Sequence, residues 1–143
     1  MSEARFHAYA SLKAGERLRH WEYEPAALGK GEIEIQITHN GLCHTDIHMR
    51  DNDWGVSTYP LVPGHEVVGV VTQVGTDVNS LAVGDRVGFE WIRDACRQCD
   101  YCIQGEENTC RNDYTRLILG HHGGFADKLR APADFAYKIP GSA

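Results

Sequence analysis

Apolar and polar residues alternate along several short segments of this chain, which is the pattern of β-strands. Residues 32–38 read EIEIQIT, so we expect one buried face and one face in contact with water. Residues 65–74 read HEVVGVVTQV, a β-branched run that predicts a strand buried on both faces. Further strands are expected over residues 86–91, 124–130 and 135–139. The pattern therefore predicts a fold made mostly of strands.

Signals for helices are few, and glycines separate the predicted strands. Residues 44–50 predict one short helix, capped from Thr45 or Asp46. Glycine-rich turns between short β-branched strands favour an irregular β-barrel or a sandwich. No GxGxxG motif follows a predicted strand, so we expect no nucleotide-binding α/β domain in this chain.

Composition narrows the class of protein. A length of 143 residues is enough for one domain, which we expect to span residues 1–143. The formal net charge of -6 argues against nucleic-acid binding and against binding to an anionic membrane surface. No apolar run is long enough for a signal peptide or a transmembrane helix. We therefore expect a cytoplasmic protein, whose clustered thiols stay reduced and favour metal over disulfides.

Four of the five cysteines lie within residues 94–110 with the spacing C-x2-C-x2-C-x7-C. They are Cys96, Cys99, Cys102 and Cys110. A full set of four thiolates suits tetrahedral zinc and leaves no open position, which predicts a structural zinc loop. An iron–sulfur cluster of the bacterial ferredoxin type would read C-x2-C-x2-C-x3-C-P, a poorer match. A disulfide framework or redox pair is the remaining alternative.

The fifth cysteine, Cys43, belongs to a second candidate site. Cys43, His65 and Glu66 could supply the three protein ligands of a catalytic zinc, with Asp46 as a hydrogen-bonding partner behind them. Taken on spacing alone, an isolated cysteine is more often a small buried side chain than a ligand, and an isolated histidine is more often structural. Spacing alone leaves both interpretations open.

The combined motifs resemble a known family. The segments GLCHTDIH, PGHEVVGVV, VGDRVG and CRQCDYCIQGEENTC are similar, in order and spacing, to the catalytic domain of zinc-dependent medium-chain alcohol dehydrogenases. The stretch DNDWGVSTYPLVPGHE is most similar to the cinnamyl alcohol dehydrogenase-like branch, which includes bacterial aldehyde reductases. The resemblance covers about residues 30–140 and implies a GroES-like, mostly β fold.

The resemblance also implies metal ligands. Cys43 and His65 would bind catalytic zinc, and Glu66 would lie close behind the metal and could ligate it. Asp46 would hydrogen-bond the ring of His65. The four clustered cysteines would hold structural zinc.

Other residues acquire roles by the same resemblance. Thr45 would hold the substrate hydroxyl, and His48 would pass its proton to water through the cofactor ribose. His44 would lie near the pyrophosphate of NADP or NAD. Trp54 and Trp91 would line the substrate pocket, although both could simply pack in the core. No role is assigned to His7, His20, His39, His121 or His122, the last two being expected in a turn.

The sequence departs from the family pattern in one respect. The family's third zinc ligand is a cysteine, and no spare cysteine remains here. We therefore expect the N-terminal part of a larger enzyme, a homo-oligomer that interconverts primary alcohols and aldehydes with NADP or NAD. The chain alone would be inactive. A zinc-stabilised binding or scaffold module without turnover is the alternative.

Overall fold

The computed structural model describes residues 5–141 and consists mainly of β-strands. The strands are β1 (Phe6–Ala10), β2 (Arg19–Tyr23), β3 (Glu32–Asn40), β4 (Val67–Val74), β5 (Arg86–Phe89), β6 (Ile92–Asp94), β7 (Thr115–Arg116), β8 (Lys128–Pro132) and β9 (Ala136–Lys138). The helices are α1 (His44–Asp51) and α2 (Asp100–Ile103), and 3₁₀ turns cover Glu107–Thr109 and Ala133–Phe135.

Five strands form an antiparallel sheet in the order β8-β3-β4-β5-β9. The register between β3 and β4 shifts between Glu34 and Ile35, and again between Ile37 and His39. Such bulges bend a strand and increase its twist, so the sheet curls into a half-barrel. The prediction of a mostly β, irregular barrel-like fold is confirmed.

Two smaller sheets flank the central one. Strands β1 and β2 pair antiparallel, and isolated bridges from Ala8 to Ala126 and from Ser11 to Leu61 join them to the rest of the chain. Strands β6 and β7 pair through Asp94 and Thr115, the residues that enclose the cysteine-rich loop. The loop is therefore closed at its base by backbone pairing.

The main hydrophobic core is built from apolar side chains of the central sheet and the segments packed against it. Ile33, Ile35 and Val87 are fully buried in this core. Met49 of α1 is 1% exposed and belongs to the same cluster. Burial of a side chain of this size contributes about 2 kcal/mol. Met49 therefore fixes α1, and the residues at its start, against the sheet.

Most predicted elements are present. The strands expected over 32–38, 65–74, 86–91 and 135–139 are observed with ends shifted by one or two residues. The strand expected over 124–130 begins only at Lys128, because the N–H groups of Gly124 and Phe125 donate to the carbonyls of Gly64 and Pro63 instead. Strands β1, β2, β6 and β7 were not predicted.

Two burial predictions and one cap prediction are wrong. Glu34, expected to contact water, is 1% exposed, because Lys128 and Arg130 of β8 pair with it. Strand β4 is buried on one face only, at Val67, Gly69 and Val71, since the residues that alternate with these are half-buried and the last two residues of the strand are exposed. Helix α1 is capped by Cys43 and not by Thr45 or Asp46.

Candidate functional site

The start of helix α1 places several predicted site residues in one turn. Cys43 is the N-cap residue, and its backbone N–H donates to Oδ2 of Asp46 at 3.0 Å. In return, the N–H of Asp46 donates to the carbonyl of Cys43 at 3.1 Å. A side-chain acceptor at this position satisfies a backbone donor that the helix leaves free. The cap therefore fixes Cys43 relative to Asp46.

Asp46 connects this turn to the loop before β4. Its Oδ1 accepts the N–H of Gly64 at 2.8 Å and faces Nδ1 of His65 at 3.1 Å. Gly64 has a φ of +97°, and a side chain there would collide with the backbone of Phe125, so only glycine fits. Asp46 is 3% exposed. It orients the His65 ring so that Nε2 is free to face the Cys43 side.

These contacts bring Cys43, His65 and Glu66 together. Their ligand atoms all lie within 4.8 Å of one another. His65 is buried and makes an edge contact with Trp91 at a centroid distance of 5.2 Å, whereas Glu66 is exposed. The Glu66 side chain lies over Gly41, where a Cβ atom would collide with it. One thiol, one imidazole and one carboxylate thus form a site with an accessible side.

The electrostatics of this site favour an anionic thiol. The backbone N–H of Thr45, with the Thr45 hydroxyl and His65, lowers the pKa of the Cys43 thiol. Burial alone would lower the pKa of His65, but the hydrogen bond to Asp46 outweighs burial and raises it. Burial alone would raise the pKa of Asp46, but hydrogen bonds from His65 and Gly64 lower it. A thiolate and a carboxylate around one imidazole make a good ligand set for a divalent cation.

His44 and His48 lie on the exposed side of α1. Their ring centroids are 4.7 Å apart, and His48 is 5.1 Å from Trp54. Nδ1 of His48 lies 2.7 Å from Oδ2 of Asp53, a contact the sequence analysis missed. Asp53 also donates its backbone N–H to the carbonyl of His48 at 3.0 Å. The sequence feature that could have revealed this contact is the aspartate at position 53, which follows His48 closely and lies just beyond the end of α1.

Trp54 and Trp91 line one cavity of about 340 Å³. Trp54 is 51% exposed, so it does not pack in the core. The other lining residues, which the sequence analysis did not identify, are Met49, Val56, Asp113, Arg116 and Leu119. Trp91 also contacts His65, so the cavity adjoins the Cys43 and His65 site.

The four clustered cysteines converge in the structure. The sulfur atoms of Cys96, Cys99, Cys102 and Cys110 all lie within 4.8 Å of one another. The sulfurs of Cys96 and Cys102 are 3.8 Å apart. A tetrahedron with Zn–S bonds of about 2.3 Å has an edge of about 3.8 Å, whereas a disulfide would need about 2.05 Å. All five cysteines of the chain are free thiols, and the disulfide alternative is not what the structure shows.

Backbone N–H groups around this cluster favour the thiolate form of two of the four cysteines. The N–H of Gln98, with that of Cys99, lowers the pKa of Cys96 to about 6. The N–H groups of Cys102 and Arg111 lower the pKa of Cys99. Burial raises the pKa of Cys102 to about 12. Four anionic sulfurs repel one another in this volume, and a central cation removes that repulsion. The residues present therefore fit a structural zinc ion.

Of the two histidines that precede Gly123, only His122 has a packing role in the structure. Both were expected in a turn; His121 lies at a bend and is exposed, whereas His122 lies outside any turn and is half-buried. The His122 ring packs against Tyr23 and Trp21 at centroid distances of 4.5 Å and 5.1 Å. Along residues 5–141, no helix is long and apolar enough to cross a membrane.

Known proteins match this chain over the same residues that carry the motifs described above. The model of the alcohol dehydrogenase GroES-like domain matches residues 29–141. The chain is 47% identical over 133 residues to aldehyde reductase AdhA of Synechocystis sp., covering 93% of this chain and 39% of that protein. It thus spans about two-fifths of this relative.

Solved structures share the fold. A cinnamyl alcohol dehydrogenase from Sorghum bicolor superposes with a TM-score of 0.88 and 37% identity, covering 97% of this chain and 42% of that one. A cobalt- and zinc-bound thermostable alcohol dehydrogenase from Pyrobaculum aerophilum gives a TM-score of 0.83 and 27% identity, covering 96% and 42%. The predicted resemblance to this branch is confirmed.

Proposed function

Because the chain belongs to the alcohol dehydrogenase GroES-like domain family, we propose that it is the catalytic domain of a zinc-dependent enzyme that interconverts a primary alcohol and an aldehyde. The proposed hydride donor or acceptor is NADP(H) or NAD(H). The observation that carries the proposal is the convergence of Cys43, His65 and Glu66 on one side of Asp46. This is a metal-ligand set beside a cavity large enough for a small substrate.

Cys43 and His65 would hold the catalytic zinc, with Glu66 as the third donor available in this chain. When bound, zinc acts as a Lewis acid that lowers the pKa of an alcohol or polarises an aldehyde carbonyl. Asp46 keeps Nδ1 of His65 occupied, which leaves Nε2 to act as the ligand. The proposal for Glu66 is supported by its position over Gly41, within reach of both other ligand atoms.

Proton movement is assigned to residues of α1. Thr45 would accept the hydrogen bond of the substrate hydroxyl, a role its closeness to the Cys43 thiol supports. His48 would exchange the proton with water, because its ring is partly exposed. Asp53, at 2.7 Å from Nδ1 of His48, would orient that ring and leave its other nitrogen to exchange the proton. His44, whose ring lies tilted beside that of His48, is proposed to contact the pyrophosphate of the cofactor.

The cavity next to His65 is the proposed substrate pocket. Trp54, Trp91 and Leu119 provide apolar walls, which suit the carbon chain or ring of an aldehyde. Arg116 and Asp113 form a polar rim, and they pair with each other at 2.8 Å. Because that pair is satisfied internally, we propose an uncharged aldehyde and not a carboxylated one.

The loop of residues 94–110 is proposed to be a structural zinc module of the same domain, which would span residues 1–143. Since 39% of the cyanobacterial relative is covered, we further propose that these 143 residues do not turn over substrate alone. The whole enzyme would be a cytoplasmic homo-oligomer whose partners are small alcohols and aldehydes.

The experiment is an assay of the enzyme that contains this chain, with NADPH and with NADH, on medium-chain and aromatic aldehydes. Cys43→Ser should abolish turnover and remove one zinc per subunit, because the thiolate is both ligand and charge. The matched control is His121→Gln, an exposed histidine outside the site, which should leave both unchanged. Full turnover in Cys43→Ser, or no turnover in the parent with either cofactor, would refute the proposal and favour a scaffold role.

A further inference from the structure

His7, His20 and Glu22 form a group of metal-ligating side chains on the exposed face of the β1–β2 hairpin. Their ligand atoms all lie within 4.8 Å of one another. We propose that these three residues are a binding site for one divalent transition-metal ion, built from different strands than either cysteine-containing site. Its chemical class is the ion that two imidazoles and one carboxylate select, such as Zn²⁺ or Ni²⁺.

The antiparallel register brings the three residues together. His7 pairs directly with Glu22, and Tyr9 pairs with His20 in the next position along the ladder. Side chains opposite each other on one face of such a pair are about 5 Å apart at Cβ, and diagonal neighbours about 7–8 Å. Phe6 and Ala8 point into the core, so His7 lies on the opposite, exposed face. The sequence spacing, with twelve residues between His7 and His20, gives no motif that would reveal this.

The distances approach those of a bound ion. Nδ1 of His7 lies 3.3 Å and Nε2 of His20 lies 4.0 Å from Oε1 of Glu22. Zinc–ligand bonds of about 2.0–2.1 Å give a tetrahedral edge of about 3.3–3.4 Å. One contact already has this length, and the other closes by a small rotation of an exposed ring. The imidazole rings of His7 and His20 stack at a centroid distance of 5.7 Å and an interplanar angle of 30°. Both rings therefore border the same open side, from which one ion can approach them.

The backbone beneath the site is fixed. His7 donates its N–H to Oδ1 of Asp127 at 3.0 Å, and Asp127 returns its N–H to the carbonyl of His7 at 2.8 Å. The next residue, Ala8, is 2% exposed and bridges to Ala126. An anchored strand lowers the entropy that metal binding must overcome, so the ligand set is largely ordered before the ion arrives.

Arg5 limits the affinity of the site. Its guanidinium lies 3.6 Å from Oε2 of Glu22 and 3.9 Å from Oε1 of Glu24. The imidazoles face the other oxygen of Glu22, so the carboxylate can bind metal without losing its contact with Arg5. The positive charge nevertheless repels an incoming cation. Removal of the Arg5 charge should therefore strengthen metal binding. A variant that merely folded less well would bind the metal more weakly, so the two effects can be told apart.

The test uses the ¹⁵N-labelled 143-residue chain with its thiol sites saturated with zinc, titrated with Ni²⁺ and followed by amide line broadening. Signals of residues 6–10 and 19–23 should broaden first, because Ni²⁺ is paramagnetic and acts locally. His7→Gln and His20→Gln should each weaken binding at least about 10-fold, since loss of even an outer-shell partner costs about 10–100-fold. His121→Gln is the matched control and should bind like the parent.

Arg5→Gln supplies the second arm. It should tighten Ni²⁺ binding by about two- to five-fold, the range expected for one exposed ion pair. Calorimetry with Zn²⁺ should reproduce the same order of affinities. Unchanged affinity in His20→Gln, broadening that begins elsewhere in the chain, or weaker binding in Arg5→Gln would each overturn the proposal.

Discussion

Replacement of Glu34 by glutamine tests how the central sheet tolerates a buried charge. Oε1 of Glu34 accepts hydrogen bonds from Lys128 at 2.9 Å and Thr72 at 3.0 Å. Oε2 accepts two from Arg130, at 2.9 Å and 2.8 Å. Glutamine keeps the shape but presents an N–H₂ group to one of these sets of donors. The change therefore removes the negative charge. It also places the glutamine N–H₂ group, a hydrogen-bond donor, against side chains that are themselves donors.

The expected cost is about 3 kcal/mol of unfolding free energy. Breaking a buried ion pair by removing one partner costs about 3–5 kcal/mol, because the other charge stays buried and unpaired. Lys128 and Arg130 keep 26% and 20% of their side chains exposed, so water compensates them in part and the lower end applies. For a chain of this size, a loss of about 3 kcal/mol lowers Tm by roughly 10 °C.

The effect should depend on pH in a defined direction. Burial alone would raise the pKa of Glu34, but hydrogen bonds from Lys128, Arg130 and Thr72 outweigh it and hold the pKa below its ordinary value. A carboxyl with a lowered folded-state pKa contributes stability above the unfolded-state value, about 4.3. That contribution is lost as pH falls through the lower, folded-state pKa. The difference between parent and Glu34→Gln should thus be constant at neutral pH and shrink below about pH 4.

The assay is urea unfolding followed by tryptophan fluorescence, at a series of pH values and with zinc in excess. Glu16→Gln is the matched control: Glu16 pairs with exposed Lys13 and Arg19 at the surface, and its loss should cost about 1 kcal/mol or less. Equal stability of Glu34→Gln and Glu16→Gln at pH 7 would refute the reasoning. So would a parent–variant difference that grows in acid.

The remaining predictions concern the candidate sites. Cys99→Ser should release one zinc and make residues 94–110 sensitive to protease, because structural zinc contributes folding free energy; unchanged metal content and cleavage would contradict this. Asp46→Asn should weaken zinc binding at the Cys43 site by about 10–100-fold in a chelator competition, and parent-like affinity would show that the hydrogen bond to His65 is unimportant. In the whole enzyme, His48→Gln should lower kcat by about 10²-fold with zinc content unchanged, whereas loss of zinc would identify a ligand instead of a relay. Trp54→Ala should raise KM for aromatic aldehydes more than for short ones, and a uniform change in kcat would exclude a pocket role.

The local sequence pattern was sufficient to predict the elements in which apolar residues recur regularly, and to predict the cluster of four cysteines. Strand β3 carries seven residues of strict alternation, and α1 was placed within one residue of its observed end. The spacing of the four cysteines predicted their convergence because they lie within seventeen residues, where the loop itself limits how far apart the sulfurs can be. The structure confirms that convergence.

Features that depend on contacts between distant segments could not be predicted. Glu34 reads as a water-facing residue, and its burial depends on Lys128 and Arg130, more than ninety positions away. Strands β1 and β2 are only five residues long, and β2 carries Arg19 and Glu22, so local propensity alone does not predict their pairing.

The candidate site likewise combines contacts that the local sequence determines with contacts that only the tertiary structure decides. Cys43 and Asp46 belong to one helical turn, so the sequence determined their closeness through the geometry of a helix start. Only the tertiary structure decided that His65 would meet them, because Gly64 must approach Asp46 across the fold. The grouping of His7, His20 and Glu22 arises likewise from strand pairing. Helical turns and short loops are encoded by neighbours in sequence, whereas contacts across a sheet are decided when the whole chain buries its core.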